Sequence, residues 1–405
     1  MNKPRVIFPY TEAGFGHIMP MRSVADEFER LYGDKVECVR SDFFTEGGDE
    51  KLIKLQDGFK KEVIKYNKSS FYGYLCMLGM NLVGPRGAVN AAMSLWKPGA
   101  KNGGIKHMDE LAPDLVVSTH WATNYFAKKC KSKPLTAMYC PDAHLYDVFR
   151  YPCDLTLISA ETGYKSALKH HPLRYNTQNL KLVPFLIRSE VFSAPTDKRA
   201  MRKKLGLDPD KFTVVLAEGG YGVGKMATIC KLIIERDLPV TIVPVCGKNT
   251  ELYKELLNLK VEGQTDCRPM GLVANIFEVL ATADLFCGKS GASMIAETCF
   301  FGIPQIITEY ATSIEQHNGE YYVKTVKSAM RIFKSRKVVD KIEEFLQHPE
   351  RLKPFKEAAA AQHANYGATE AAKEIYKLLL TRFPELDKQE VKQGNEETKK
   401  EILPA

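Results

Sequence analysis

The 405-residue chain has ten cysteines but no Cys-x-x-Cys pair. Scattered thiols in a chain this long, with no secretory leader ahead of the strand-like run at residues 5–10, read as reduced cysteines of a cytosolic protein. Long apolar runs are missing too. The uncharged stretch of most interest, residues 71–84, has 14 residues, against the ~20 that a spanning helix needs. A membrane-spanning protein is therefore not expected. Nor does charge of one sign dominate: 57 Lys and Arg face 49 Asp and Glu, a net +8. Residues 385–405 hold six acids and four lysines, net −2, which leaves +10 on residues 1–384. That excess is too small to argue for nucleic acid. It suits an anionic partner, either a phosphate ligand or an acidic membrane surface. The one Asp-x-Asp, Asp208-Pro209-Asp210, stands before a strand-like run and reads as a turn, not a metal site.

What is present is a globular composition, 44% hydrophobic and 26% charged, long enough for two or three domains. Short β-branched runs lie at residues 5–10, 36–41, 115–119, 135–140, 155–158, 213–217, 240–245, 284–287 and 305–308. Amphipathic stretches separate them. In residues 17–32, Met21, Val24, Phe28 and Leu31 recur at steps of three and four. The alternation predicts parallel sheets with helices on both faces. Most of the runs lack period-2 alternation, as strands buried on both faces do. A strand-like run at 182–186 and a charged helix at 196–205 frame a boundary near 189–195. We expect two doubly wound α/β domains, 1–188 and 189–375, and a charged tail, 376–405, frayed over about its last 20 residues.

Four segments carry candidate chemistry. The first strand runs into TEAGFGHIMP (11–20), where Gly14 and Gly16 bracket a turn and His17 sits at a helix start. Such a turn brings backbone close to a ligand at the carboxyl edge of a sheet, or simply connects strand to helix. LAEGGYGVGK (216–225) places Gly219, Gly220, Gly222 and Gly224 between a buried strand and a helix. It lacks the Lys-Ser/Thr pair of a Walker loop and is not a clean Gly-x-Gly-x-x-Gly. In the third segment, 284–302, a strand turns through Lys289, Ser290, Gly291, Ala292 and Ser293 into a helix. Its free amides and hydroxyls form an anion site. Glu297, one turn deeper, is placed to accept from a vicinal diol. The fourth, EYATSIEQHN (309–318), gathers Glu315, Gln316 and Asn318 past a strand end, as sugar-binding groups or as a plain polar loop.

In this order the motifs resemble glycosyltransferase family 28, of the GT-B fold, and most closely its glycerolipid branch, the monogalactosyl- and glucosyl-diacylglycerol synthases. The resemblance covers most of residues 1–380. It rests on EGGYGVGK (218–225), CGKN (246–249), GKSGASMIAE (288–297) and EQHN (315–318) in series, with AGFGH at the first turn and Pro141-Asp142-Ala143-His144 after a strand. Two departures stand out. The branch usually shows Pro-Gly where this chain has Ala292-Ser293, and Ile18-Met19-Pro20 is similar to other GT-B transferases, including the lipid II-forming N-acetylglucosaminyltransferase. A UDP-GlcNAc-dependent transferase on a polyprenyl-linked or soluble acceptor, or a non-catalytic nucleotide-sugar binder, therefore stands beside the diacylglycerol reading.

The resemblance implies a fold of two Rossmann-like domains facing a cleft, and a hexosyl transfer from a UDP-sugar to a lipid with no metal or other cofactor. It puts the donor diphosphate at Gly219, Gly220, Lys289, Ser290, Gly291, Ala292 and Ser293, the ribose at Glu297, and the donor sugar at Glu315, Gln316 and Asn318. His17 and Asp142 are the candidate bases; Gly14, Gly16, His120 and His144 lie on the acceptor side. Six lysines and two acids in residues 51–68, followed by the apolar 71–84, suit a peripheral anchor on an anionic cytoplasmic leaflet, or a solvated helix beside a core helix. No nucleic-acid partner is expected, and oligomeric state is left open.

Overall fold

The computed structural model describes residues 3–11, 15–68, 71–76, 78, 87, 90, 93, 98–220, 222 and 224–387. Its frame is two six-stranded parallel sheets. The first has the order β2-β1-β3-β4-β5-β6, with β1 Arg5–Tyr10, β2 Glu37–Asp42, β3 Leu115–Ser118, β4 Leu135–Cys140, β5 Leu155–Ile158 and β6 Leu180–Leu182. The second has the order β12-β11-β10-β7-β8-β9, with β7 Phe212–Ala217, β8 Val240–Val245, β9 Asp266–Cys267, β10 Leu285–Lys289, β11 Gln305–Glu309 and β12 Ala329–Arg331. The helices include, in the first half, α1 Phe15–Tyr32, α2 Glu50–Lys68, α3 Pro98–Leu111, α4 Trp121–Ala127 and α5 Glu161–His170. Then come α6 Lys198–Lys204, α7 Met226–Glu235, α8 Thr250–Leu257, α9 Ile276–Leu280, α10 Ala292–Phe300, α11 Ser313–Glu320, α12 Ser335–Gln347, α13 Lys353–Ala360 and α14 Thr369–Leu380.

Both sheets are covered on both faces, which is why their strands read as apolar runs. Val6 and Phe8 pack into one cluster with α1, while Ile7 between them packs into another. Val215 and Ala217 serve one face of the second sheet, Val214 and Leu216 the other. Parallel strands need helical crossovers, and helices on both faces leave no polar side for alternation to mark. Each of the nine runs between 5 and 308 contains a strand. The run placed at 182–186 does not hold: the strand ends at Leu182, and Val183, Phe185 and Leu186 beyond it are apolar because they are buried. The edges β9 and β12 escaped notice because two or three residues make no periodic signal.

The last helix recrosses to the first domain. In α14, Ala371, Ala372, Ile375, Tyr376 and Leu379 are buried with Met21, Val24 and Phe28 of α1. Tyr376 stacks on Tyr32 at 3.8 Å between ring centroids. The division expected at residue 375 therefore cuts this helix, and Leu386 beyond it is still buried. The helical apolar spacing continues past 375, and this surface buries against the first sheet.

Each sheet reverses its strand order once, between β1 and β3 and between β7 and β10. In open α/β sheets ligands bind beyond the carboxyl ends of strands at that crevice. The two reversal points carry the residues discussed next.

Candidate active site

On the first domain, α1 begins just past β1 and α4 just past β3. Residues 12–14, with Gly14, lie outside the described residues, and Gly16 stands in the first turn of α1. His17 Nδ1 is 2.7 Å from the carbonyl of Thr119, whose hydroxyl donates back to the His17 carbonyl at 2.7 Å. A carbonyl only accepts, so Nδ1 carries the proton and Nε2 keeps its lone pair. His120 caps α4: its Nδ1 accepts from Ala122 N, which puts its proton on Nε2. The two imidazole rings meet edge to face at 5.0 Å. Burial pulls both below the ordinary imidazole value, His120 further, and the neighbouring His17 adds to the lowering of His120.

Asp142 and His144 follow β4 and face the second domain. Asn318 Nδ2 donates to Asp142 Oδ1 at 2.8 Å, and Ala143 N donates to Asn318 Oδ1 at 2.7 Å. The Tyr146 hydroxyl donates to the Ser313 carbonyl at 2.8 Å and lies 2.7 Å from His317 Nδ1, while His144 stacks on His317 at 4.9 Å. Helix α11 thus closes on the β4 loop. Burial pushes the Asp142 carboxyl up to about 6 against the Asn318 hydrogen bond, and the charge of Glu315 adds to the rise. Burial lowers His144 to about 4.

On the second domain, β7 leads into the glycine loop and β10 into α10. Gly219 adopts φ +74°, a conformation that favours glycine, and a Cβ there would meet open space, as it would at Gly291. Gly220 is tied down, its carbonyl accepting from Lys248 N. Gly222 and Gly224 have a different reason: side chains there would run into the Cys246 carbonyl and the Glu218 carboxylate. Glu218 itself accepts from Lys225 N at 2.6 Å and Met226 N at 3.0 Å, capping α7. Helix α10 begins at Ala292 behind Gly291, which offers no side-chain cap. Its first amides therefore receive no cap from that residue, and the buried Ser293 hydroxyl finds no partner among the described residues.

Several expected site groups are already engaged. Ser290 was expected to donate to a diphosphate; it is buried and donates to the Glu315 carbonyl at 2.6 Å, pinning α11 to the start of α10. Glu297 was expected on the ribose. Its side chain is 1% exposed, and Arg188, in the crossover between the domains, holds both its oxygens, one at 2.7 Å. The guanidinium lies 4.2 Å from the centre of the Phe277 ring. Burial raises the Glu297 carboxyl and Arg188 pulls it back. Glu315 accepts from Ala311 N at 2.7 Å, and Gln316 Oε1 accepts from the Tyr74 hydroxyl at 2.7 Å. Lys289 is buried at the end of β10, where its charge acts on the carboxylates of Glu218 and Glu315. Arg188 and Tyr146 lay outside every motif; Glu218 and His317 lay inside the segments 218–225 and 315–318 but were not singled out there.

Among the described residues, no group of three or more His, Cys, Asp or Glu could hold a metal ion, and no helix is long and apolar enough to cross a membrane.

Two Rossmann-like domains that meet at facing reversal points define a GT-B protein. Solved structures agree on the fold. MurG of Acinetobacter baumannii superposes with TM-score 0.55 at 13% identity, over 92% of this chain and 99% of that one. Anabaena Alr3699/HepE in complex with UDP and glucose gives TM-score 0.55 at 13% identity, over 94% and 99%. Residues 226–378 match the glycosyltransferase family 28 C-terminal domain. The processive diacylglycerol beta-glucosyltransferase of Bacillus pumilus is 25% identical over 198 residues, 49% of this chain and 51% of the relative. The probable monogalactosyldiacylglycerol synthase 2, chloroplastic, of Oryza sativa subsp. japonica is 24% identical over 344 residues, 78% and 68% respectively. The match thus spans about half the length of the Bacillus relative.

Proposed function

We propose that the chain is a UDP-sugar-dependent hexosyltransferase acting on a lipid acceptor, with diacylglycerol the foremost candidate. One observation carries the reading. The uncapped start of α10, with the orphan Ser293 hydroxyl, stands at the reversal point of one sheet, and His17, with its lone pair on Nε2, stands at that of the other. The relatives named for diacylglycerol glycosylation supply the acceptor class.

The acceptor hydroxyl oxygen attacks the anomeric carbon. Its proton passes to His17 Nε2 as the bond to the diphosphate breaks. The leaving UDP gains negative charge, which the free amides of α10 and the Ser293 hydroxyl stabilise without reorganisation. Burial keeps His17 neutral, so it is ready to take a proton at neutral pH. His120, its tautomer fixed by the α4 cap, and Thr119 hold the ring in place. Asp142, whose oxygen is shared with Asn318, sits second to His17 as a base. Gln316 is the candidate for the donor sugar, because Asn318 is buried with its amide spent on Asp142 and Ala143, and Glu297 reaches a ribose only after leaving Arg188.

The test is a panel of UDP-sugars with diacylglycerol and alternative acceptors, followed by UDP release and glycolipid product. His17→Ala is expected to lower turnover by about 10²–10⁴-fold while donor affinity is kept. Because burial depresses the His17 pKa, the acid limb of the rate profile should fall below pH ~6.5, the ordinary imidazole value. Loss of donor binding in His17→Ala would refute its role as base.

A further inference from the structure

Tyr74 belongs to the first domain, but its hydroxyl reaches α11 of the second and donates to Gln316 Oε1 at 2.7 Å, 242 positions away in sequence. The chain beside it is seated there. A Cβ on Gly73 would lie 2.7 Å from the Ala311 carbonyl oxygen and 3.1 Å from the Thr312 methyl, so glycine is what lets the backbone come this near. In this pair the phenol is the donor, because an amide oxygen only accepts. Burial, with the charge of Glu315 added, raises the Tyr74 pKa above its ordinary value, so the proton stays in place.

That hydrogen bond decides which end of the Gln316 amide is left for a ligand. The two ends are opposite in chemistry, an oxygen that accepts and an NH2 that donates. With the oxygen held by Tyr74, the Nε2 group is the end left over, and it meets no partner among the described residues. Its place is beside the proposed diphosphate site. Gln316 follows Glu315, whose carbonyl accepts from Ser290 at 2.6 Å, and Ser290 stands just ahead of α10, which opens at Ala292. The amide therefore sits next to the start of α10, on a helix that faces the first domain.

We propose that Tyr74 is a positioning residue for the donor sugar: it holds the Gln316 amide with Nε2 toward the hexose, where it donates to a sugar oxygen. Without the phenol the amide turns over freely and presents an oxygen that can only accept. An amide fixed in advance spends nothing on orientation when the sugar arrives. The diphosphate is held by α10 and does not touch this pair, so Tyr74 bears on the hexose and not on UDP. The role of Gln316 rests on the proposed function, whereas the orientation of its amide rests on the hydrogen bond alone.

Binding and transfer by the full chain test it, in the parent, Tyr74→Phe, Gln316→Ala and the double variant, with UDP, UDP-glucose and UDP-galactose as probes. Phenylalanine keeps the ring and drops only the hydroxyl. For the UDP-hexose that the parent binds more tightly, Tyr74→Phe should weaken affinity about fivefold, the worth of one net hydrogen bond. Its UDP affinity should stay at the parent's value, and in transfer KM should rise with kcat nearly kept. Gln316→Ala should lose at least as much, and adding Tyr74→Phe to it should cost nothing more, because the tyrosine acts through the amide. Unchanged UDP-hexose affinity in Tyr74→Phe, an equal loss for UDP, or additive losses in the double variant would overturn the positioning. If the loss in Tyr74→Phe is selective for the hexose but the parent transfers sugar to no acceptor, the proposed function fails and the positioning stands. A parent that binds neither UDP-hexose refutes both.

Discussion

Replacing Arg188 by alanine is the sharpest test of how the two domains are joined. The Glu297 carboxylate is 1% exposed and has the guanidinium on both oxygens. Removing Arg188 strands that charge in the base of α10. Breaking a buried pair from one side costs about 3–5 kcal/mol. Arg188 is itself 22% exposed, so water can enter the space it leaves, and we expect the low end, about 3 kcal/mol. For a domain of this size that lowers Tm by about 6–12 °C. The stranded carboxyl has its pKa raised above the unfolded value, so it takes up a proton as pH falls. The deficit of Arg188→Ala against the parent should therefore shrink from pH 8 to pH 5. Arg188→Ala/Glu297→Leu removes the charge as well and should recover most of the lost stability. The readout is thermal unfolding of the three proteins across that pH range. A single variant within about 0.5 kcal/mol of the parent, the range of ordinary surface changes, or a double variant as unstable as the single one, would refute the account.

Two further substitutions probe the cleft. Asn318→Asp sets a carboxylate against Asp142, where an amide now donates at 2.8 Å. The pair must then hold a proton, so the Asp142 pKa should climb above about 6, and stability and turnover at pH 7.5 should fall, with about 1–3 kcal/mol lost and recovery toward pH 5.5. Gly224→Ala drives a methyl group into the Glu218 carboxylate that caps α7, and urea unfolding should show a loss of about 1–2 kcal/mol, whereas Gly271→Ala, whose methyl meets open space, should be neutral.

Much of the fold was legible because strand and helix leave different periods. Val6, Ile7 and Phe8 form an unbroken apolar run since opposite faces of β1 feed two clusters, and Met21, Val24 and Phe28 recur at helical steps since only one side of α1 is covered. The strand ends were legible for the same reason: His17, Asp142, Gly219, Ser293 and Asn318 all lie in the loops or helices that follow one. What the sequence concealed is pairing across long separations. Glu297 looks like any helical acid until Arg188, 109 positions earlier, is seen to hold it. Ser290 looks like a free hydroxyl until the Glu315 carbonyl is found above it. Local pattern reports which way a side chain faces; it carries no record of what another element brings to meet it.

Lys289 shows how this changes the electrostatics of the proposed donor site. Read in sequence, a lysine before a helix start adds a positive charge for a diphosphate. In the fold it is buried, and its field already acts on Glu218 and Glu315, each of which feels Glu309 as well. Two buried carboxylates around one ammonium offset most of its attraction for a further anion. The first amides of α10 carry no such counter-charge: Gly291 supplies no cap, and the nearby Ser293 hydroxyl is unspent. Diphosphate affinity should therefore depend on these peptide dipoles more than on the lysine. Lys289→Met tests the division of labour by separating stability from affinity. It strips Glu218 and Glu315 of their cation, so Tm should fall by several degrees, whereas UDP affinity, measured at a temperature where the variant is folded, should drop by less than about tenfold. A hundredfold loss of UDP affinity with Tm unchanged would return the grip to the lysine.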